Sequence, residues 1–336
     1  DFSVRIPIPF SLSQQLDSFR PDLVHSHHPF LMGDTALRCS RQRKLPLVFT
    51  HHTMYERYTH YVPFDSDPMK RFVINLSTEY ANMCNRVIAP SRSVADLIQG
   101  RGVTKPVHEI PTGVDVDGLA SGNRESMRRA LKIDPQSQVL GHVGRLAPEK
   151  NLAFLGQAVA RALEDIPDGV FVLTGDGPSL KVVKKEFSKR GMADRLITTG
   201  KKTGQELRDL YQAMDLFVFA STSETQGMVL AEAMAAGNPV IALDASGTRE
   251  VVEDGSNGRL SPAPSSTDDF AAPIIEWAKR PERRQTWSTA ARRTARNFSR
   301  QRCARSLADV YASVLSSFHP ETSPFEDLQP WVMVLT

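Results

Sequence analysis

The sequence predicts an α/β protein built on two doubly wound parallel sheets. Short runs rich in Val, Ile, Leu and Phe alternate with longer stretches at helical spacing. Most of the runs lack polar alternation, as strands covered on both faces do. Residues 111–138, rich in Gly, Asp and Ser, divide an earlier group of runs from a later one. That break argues for two domains rather than one nine-stranded sheet, since strand–helix–strand repetition resumes beyond it.

In chain order, the first group predicts strands over 22–26, 46–50, 86–90 and 107–110, with a helix over 92–99. The second predicts strands over 139–143, 170–174, 196–199, 216–220 and 239–243, with helices over 152–163, 180–190, 204–213 and 228–236. A short helix is expected near 124–131. We read 1–115 as the first domain, 116–137 as a linker, 138–298 as the second domain and 299–318 as a closing helix, with 319–336 as a tail. On the closing helix Leu307, Val310, Tyr311, Val314, Leu315 and Phe318 form one apolar stripe, and Ser299 is its expected N-cap. About four strands precede Asp115, against the six of a full mononucleotide fold. An opening strand and its strand–helix loop are therefore expected to be absent, leaving the first domain incomplete.

Hydrophobic residues make up 40% of the 336 and charged residues 24%, which excludes a disordered chain, a collagen and a disulfide scaffold. Cys39, Cys84 and Cys303 are too sparse and scattered for a zinc cluster and suit a reducing compartment. A net charge of +3 gives no reason to expect nucleic acid. Ten of the basic residues nevertheless fall within 279–305, beside the single acid Glu282. That concentration fits an anionic surface, and two helices with solvated arginine faces explain it as well.

The strongest chemical signal is Ser223-Glu224-Thr-Gln-Gly227-Met228-Val229-Leu-Ala-Glu232, ending at Gly237-Asn-Pro239. It follows one predicted strand and precedes the next. Glu224 then sits at a strand's carboxyl end, where α/β domains bind ligands. Gly227 opens a helix whose amide groups suit a phosphate. Glu232, a turn inside, is within reach of vicinal ribose hydroxyls. A solvated amphipathic helix is the plainer alternative.

The second signal, Gly144-Arg145-Leu-Ala-Pro-Glu149-Lys150-Asn151, stands at the next such junction. Arg145 and Lys150 there suit a diphosphate clamp that needs no metal. Gly175, in Thr174-Gly-Asp-Gly177-Pro, and Lys202, in Gly200-Lys-Lys202, follow two further strands. The first loop suits contact with the phosphate or the base and the second with a nucleobase, or either simply turns the chain. In the first domain His25-Ser-His27-His28 and His51-His52-Thr53 follow two strands. We read them as lining a polar cleft rather than holding zinc, because no carboxylate accompanies them at ligand spacing. The aromatic stretch 54–63, with Tyr55, Tyr58, His60 and Tyr61, reads as a loop beside that cleft.

These motifs, with Ile110-Pro-Thr112-Gly-Val-Asp115, make the chain resemble glycosyltransferase family 4 over about 21–318. The resemblance implies the GT-B fold, two Rossmann-like domains facing a central cleft, and transfer with retention of anomeric configuration. It implies that Arg145 and Lys150 bind the donor diphosphate and that Glu224 holds hydroxyls of the transferred sugar. Glu232 would bind the ribose, and backbone amides at Gly227, Met228 and Val229 the sugar and phosphate. Gly144, Gly175 and Lys202 would complete the donor side, and His52 would line the reaction centre on the acceptor side. Thr112 stands where Asn is commoner in the family.

The first-domain histidine motifs and Ser-Glu-Thr-Gln-Gly227 are most similar to those of bacterial UDP-glucose:diacylglycerol glucosyltransferases. The resemblance thus implies a UDP-sugar co-substrate, no cofactor or metal, and a lipid acceptor or else a small molecule. It also implies a cytoplasmic enzyme at the inner membrane face. A soluble-sugar transferase, a sugar-nucleotide epimerase of the same fold, a two-carboxylate glycosidase and a non-catalytic nucleotide-sugar binder are the competing expectations.

Overall fold

The computed structural model describes residues 9–57, 59 and 66–319. Of the aromatic stretch above, Tyr58, His60 and Tyr61 lie outside the described residues, as does the tail beyond His319. The chain divides into two compact units, residues 1–110 with 305–336 and residues 111–304.

The first unit carries α1 (Pro9–Phe19), β1 (Val24–Ser26), α2 (Met32–Gln42), β2 (Leu47–Thr50), α3 (Asp67–Asn82), β3 (Arg86–Ala89), α4 (Arg92–Gly100) and β4 (Val107–Glu109). Its strands form a parallel sheet in the order β1-β2-β3-β4. Ser66 and Ser91 cap α3 and α4 through their side chains, accepting from Met69 N and Val94 N. Leu47, Phe49, Val87 and Ala89 bury one face of the sheet with Tyr80 and Ile98.

The second unit begins with α5 (Val116–Ala120) and α6 (Arg124–Ala130). These occupy the segment read as a linker and pack on the helix Gly204–Ala213 of this unit. Then follow β5 (Gln138–Val143), α7 (Leu152–Glu164), β6 (Gly169–Thr174), α8 (Leu180–Lys189), β7 (Leu196–Gly200), α9 (Gly204–Ala213), β8 (Leu216–Phe219), α10 (Met228–Ala235), β9 (Val240–Leu243), β10 (Gly258–Ser261), α11 (Thr267–Ala278), α12 (Pro281–Ala295) and α13 (Arg300–Ser317). Helix α13 starts in this unit and belongs from Arg305 onward to the first. Ser299 caps it, accepting from Arg302 N at 3.3 Å. Of its expected stripe Val310 and Val314 are buried, but Leu315 is 44% exposed; it lies off the covered face.

The second sheet is wholly parallel, in the order β10-β9-β8-β5-β6-β7. Alternate residues feed its two faces. Leu140, Phe171, Leu216 and Ile241 join one apolar cluster, and Val139, Val172, Phe217 and Val240 the other. From β5 the chain winds outward through β6 and β7. It then returns to the other side of β5 and winds out through β8 and β9 to β10. The reversal lies between β5 and β8, and a ligand site is expected beyond the carboxyl ends of the strands at such a point.

Candidate active site

The loops that follow β5 and β8 are the two that carry the strongest sequence signals, and they are tied to each other. Asn151 Nδ2 donates to Ala220 O at 3.3 Å. The hydroxyls of Ser221 and Ser223 donate to Glu149 O at 3.4 and 3.3 Å. Across this seam Lys150 Nζ lies 2.5 Å from Glu224 Oε1, with 17% and 18% of the two side chains exposed. Lys150 and Glu224, 74 residues apart, thus form a mostly desolvated ion pair at the switch point.

Arg145 is placed differently. Its guanidinium pairs with Glu149 at 2.5 Å, and its side chain is half exposed. It shares the loop with Lys150 but does not touch the Lys150–Glu224 pair.

The next loops are fused to the first through backbone. Gly144 N donates to Thr174 O at 3.1 Å, and Gly175 N to Gly200 O at 3.0 Å. Gly175 holds φ at +128°, and a Cβ there would fall 1.8 Å from Gly144 O. Only glycine fits such an approach. Lys202, past β7, is paired with Glu206 at 2.6 Å.

Gly227 starts α10 with φ +69° and offers no side-chain cap, so the helix amides carry no side-chain oxygen from that position. A Cβ there would sit 2.5 Å from Gly247 O. Met228 and Val229, the first helical residues, are half-buried. One turn on, Glu232 Oε2 accepts from Tyr211 OH at 2.7 Å. Burial raises the Glu232 carboxyl above its usual range, against the opposing effects of the Tyr211 hydrogen bond and the charge of Arg300.

Three residues here gave no signal of their own in the sequence. His142, on β5 and fully buried, bonds Val218 O through Nδ1 at 3.1 Å. Its Nε2 has no partner and lies beneath Gly144, where a Cβ would come within 3.4 Å. Burial lowers its pKa to about 4, so the ring is neutral near pH 7. Gln226, 4% exposed, clamps the backbone of Thr112 by accepting from its N at 2.8 Å and donating to its O at 2.9 Å. Tyr211, wholly buried, orients Glu232.

In the first unit His52 stands just past β2, and its Nε2 shares a proton with His27 Nδ1 at 2.8 Å. The rings stack 5.1 Å apart. His25 bridges Tyr311 OH at 2.5 Å and Thr50 Oγ1 at 2.7 Å. Burial lowers the pKa of His27 and His52, and lowers His25 further, to about 3. These are neutral imidazoles in a polar hydrogen-bonded group. Among the described residues no three His, Cys, Asp or Glu side chains are grouped to hold a metal ion. No described helix is long and apolar enough to cross a membrane.

Comparison with known proteins identifies the family. Residues 123–294 match the model of Glycosyl transferases group 1, and residues 1–117 that of Glycosyltransferase Family 4. The chain belongs to the group 1 glycosyltransferases. This transferase is 27% identical over 312 residues to the alpha-monoglucosyldiacylglycerol synthase of Acholeplasma laidlawii, covering 90% of this chain and 78% of that one. It is 31% identical over 312 residues to a D-inositol 3-phosphate glycosyltransferase of Actinosynnema mirum, covering 89% and 74%. Anabaena Alr3699/HepE, solved in complex with UDP, superposes with a TM-score of 0.77 at 23% identity, covering 91% of this transferase and 82% of that chain. The enzyme is a hexosyltransferase of the GT-B fold.

Proposed function

We propose that this enzyme moves glucose from UDP-glucose to the hydroxyl of a lipid acceptor such as diacylglycerol, with retention. The observation that carries the donor reading is the Lys150–Glu224 pair at the switch point, beside the uncapped start of α10. A lysine and helix amides suit a diphosphate, and a carboxylate suits sugar hydroxyls. The first-unit histidine motifs and the likeness to a diacylglycerol glucosyltransferase support the acceptor.

In the proposed step the acceptor oxygen bonds to the anomeric carbon on the face from which UDP leaves. The anomeric C–O bond to phosphate breaks, and the acceptor proton passes to the departing phosphate oxygen. Lys150, Arg145 and the amides at Gly227, Met228 and Val229 stabilise the charge that develops there, without a metal. Glu224 orients the sugar, Glu232 the ribose, and His52 the acceptor side. The basic residues of 279–305 would meet an anionic membrane at its cytoplasmic face.

A donor-by-acceptor screen with mass spectrometry of lipid and soluble products tests this. Glucosylated diacylglycerol that requires both substrates is the expected product. Transfer only to a soluble sugar refutes the lipid acceptor, and an epimerised nucleotide sugar formed without acceptor refutes transfer.

A further inference from the structure

A cavity of about 220 Å³ opens at the amino-terminal rim of the second sheet, where Asp215 precedes β8 and Pro239 precedes β9. Glu224 stands beyond the opposite end of β8, and Lys150 beyond that of the neighbouring β5. A water molecule takes roughly 30 Å³ in the liquid. The space therefore holds a phosphate group and the first atoms of whatever it esterifies.

Arg124, Arg284 and Arg292 line the cavity, and Asp215 is the one carboxylate among the lining residues. Asp215 is already engaged by Arg124 and by the buried Arg128. The lining thus carries two positive charges in excess. Arg292 spends one nitrogen on Ala236 O at 3.3 Å. It lies against Gly237, where a Cβ would fall 2.5 Å from its Cζ. Arg284 stacks 4.8 Å over the ring of Trp277 and donates through Nη2 to Ala278 O, while its Nε is buried without a partner. Trp277 is 2% exposed, and its indole Nε1 is likewise unpartnered. Buried donors without acceptors are uncommon in folded proteins and call for an explanation. Solvated arginines account for the charge of α12, but not for two orphaned donors just behind the lining of one cavity.

We infer that this cavity binds a phosphomonoester dianion. Its charge matches the excess and its oxygens match guanidinium forks. The phosphate can be that of a small metabolite or the headgroup of phosphatidate. The inference is independent of the donor reading, which concerns the other rim.

Nitrogen-edited NMR of the complete chain reads the site locally, with Trp277→Phe assigning the indole N–H resonance. Inorganic phosphate should shift that resonance saturably, and chloride at matched ionic strength should not. Ser288→Glu puts a carboxylate on the lining from a helix surface and should abolish saturation, whereas Ser288→Gln should retain it. Arg284→Gln should weaken the affinity about tenfold. Phosphatidylcholine vesicles doped with phosphatidate, against equal doping with phosphatidylglycerol, separate the sources. Selective retention that Ser288→Glu removes assigns the lipid, and a saturable phosphate shift without retention assigns the free ester. A resonance that does not move with phosphate, or that titrates alike in Ser288→Glu, overturns the proposal.

Discussion

Replacing Lys150 by Met removes one member of an ion pair at 2.5 Å whose side chains are 17% and 18% exposed. At an effective dielectric constant of about 20 the bare attraction at that distance is roughly 7 kcal/mol. Most of it is offset by the water both groups have given up. Breaking a fully buried pair costs about 3–5 kcal/mol and losing an exposed one about 0–1. The fifth-exposed geometry puts Lys150→Met at roughly 2 kcal/mol, and Glu224→Gln at the same. The double variant leaves neither charge stranded, so its loss should fall short of the sum by about 2 kcal/mol. Trp277 and Trp287 are both buried in the second unit. Urea unfolding followed by their fluorescence, in a Trp331→Phe background that removes the third tryptophan, therefore reads that unit. On the proposed mechanism Lys150→Met also lowers turnover by about 10²–10³. Additive stabilities would refute the pair, and a near-normal rate with an intact fold would refute its role.

Gly175→Ala brings a Cβ within 1.8 Å of Gly144 O at φ +128° and should cost about 3 kcal/mol or more, whereas Gly191→Ala, at φ +69° with nothing within 4 Å, should cost about 1; comparative melting decides. Asp215→Asn strands the 4%-exposed Arg128 and should cost about 3–5 kcal/mol by the same fluorescence assay. An unfolded histidine takes up a proton near pH 6.5, but folded His142 does so only near 4. Stability from this group is therefore complete above pH 6.5 and lost as pH falls towards 4, on the order of 3 kcal/mol. His142→Gln should flatten that slope, and an unchanged slope would show that His142 is not its source. His25 and His51, lowered to about 3 and 4, should likewise cost the first unit stability as pH falls below about 6.5, which acid unfolding of that unit measures.

Nine of the ten described strands were legible, most of them because they are apolar runs buried on both sheet faces, though β1 (Val-His-Ser) and β4 (Val-His-Glu) carry polar residues. The tenth, Gly258–Ser261, pairs only with β9 at the sheet edge and has one large apolar residue, Leu260. Helices α1, α3 and α11 were not read from the sequence, and α2 is polar enough that no apolar stripe announced it; α12 was anticipated only as an arginine-rich face. In the site, loop position and residue type were readable, because strand, glycine and carboxylate follow one another in the chain. Side-chain partners were not. The Arg145–Glu149 pairing is a local four-residue spacing that the phosphate reading passed over. Lys150–Glu224 and Thr112–Gln226 join residues 74 and 114 positions apart, which no local spacing reveals. His142 has the look of a core strand residue until its unsatisfied Nε2 is found under Gly144.

The three cations assigned to the donor side each already hold a carboxylate: Lys150 with Glu224, Arg145 with Glu149, Lys202 with Glu206. On the proposed reading a diphosphate that draws Lys150 towards itself weakens its hold on Glu224, and a poorly hydrated carboxylate short of its counter-charge is costly. UDP alone gives Glu224 nothing in return. A nucleotide sugar does, because its hydroxyls can donate to the freed oxygens. On the proposed reading the pair thus couples recognition of the sugar to recognition of the diphosphate, and the intact donor outcompetes UDP. Glu224→Gln needs no counter-charge, so it should bind UDP at least as well as the wild type while losing the preference for UDP-sugar. Calorimetry of both ligands on both proteins measures this. An equal preference in the two would mean that Glu224 does not face the sugar.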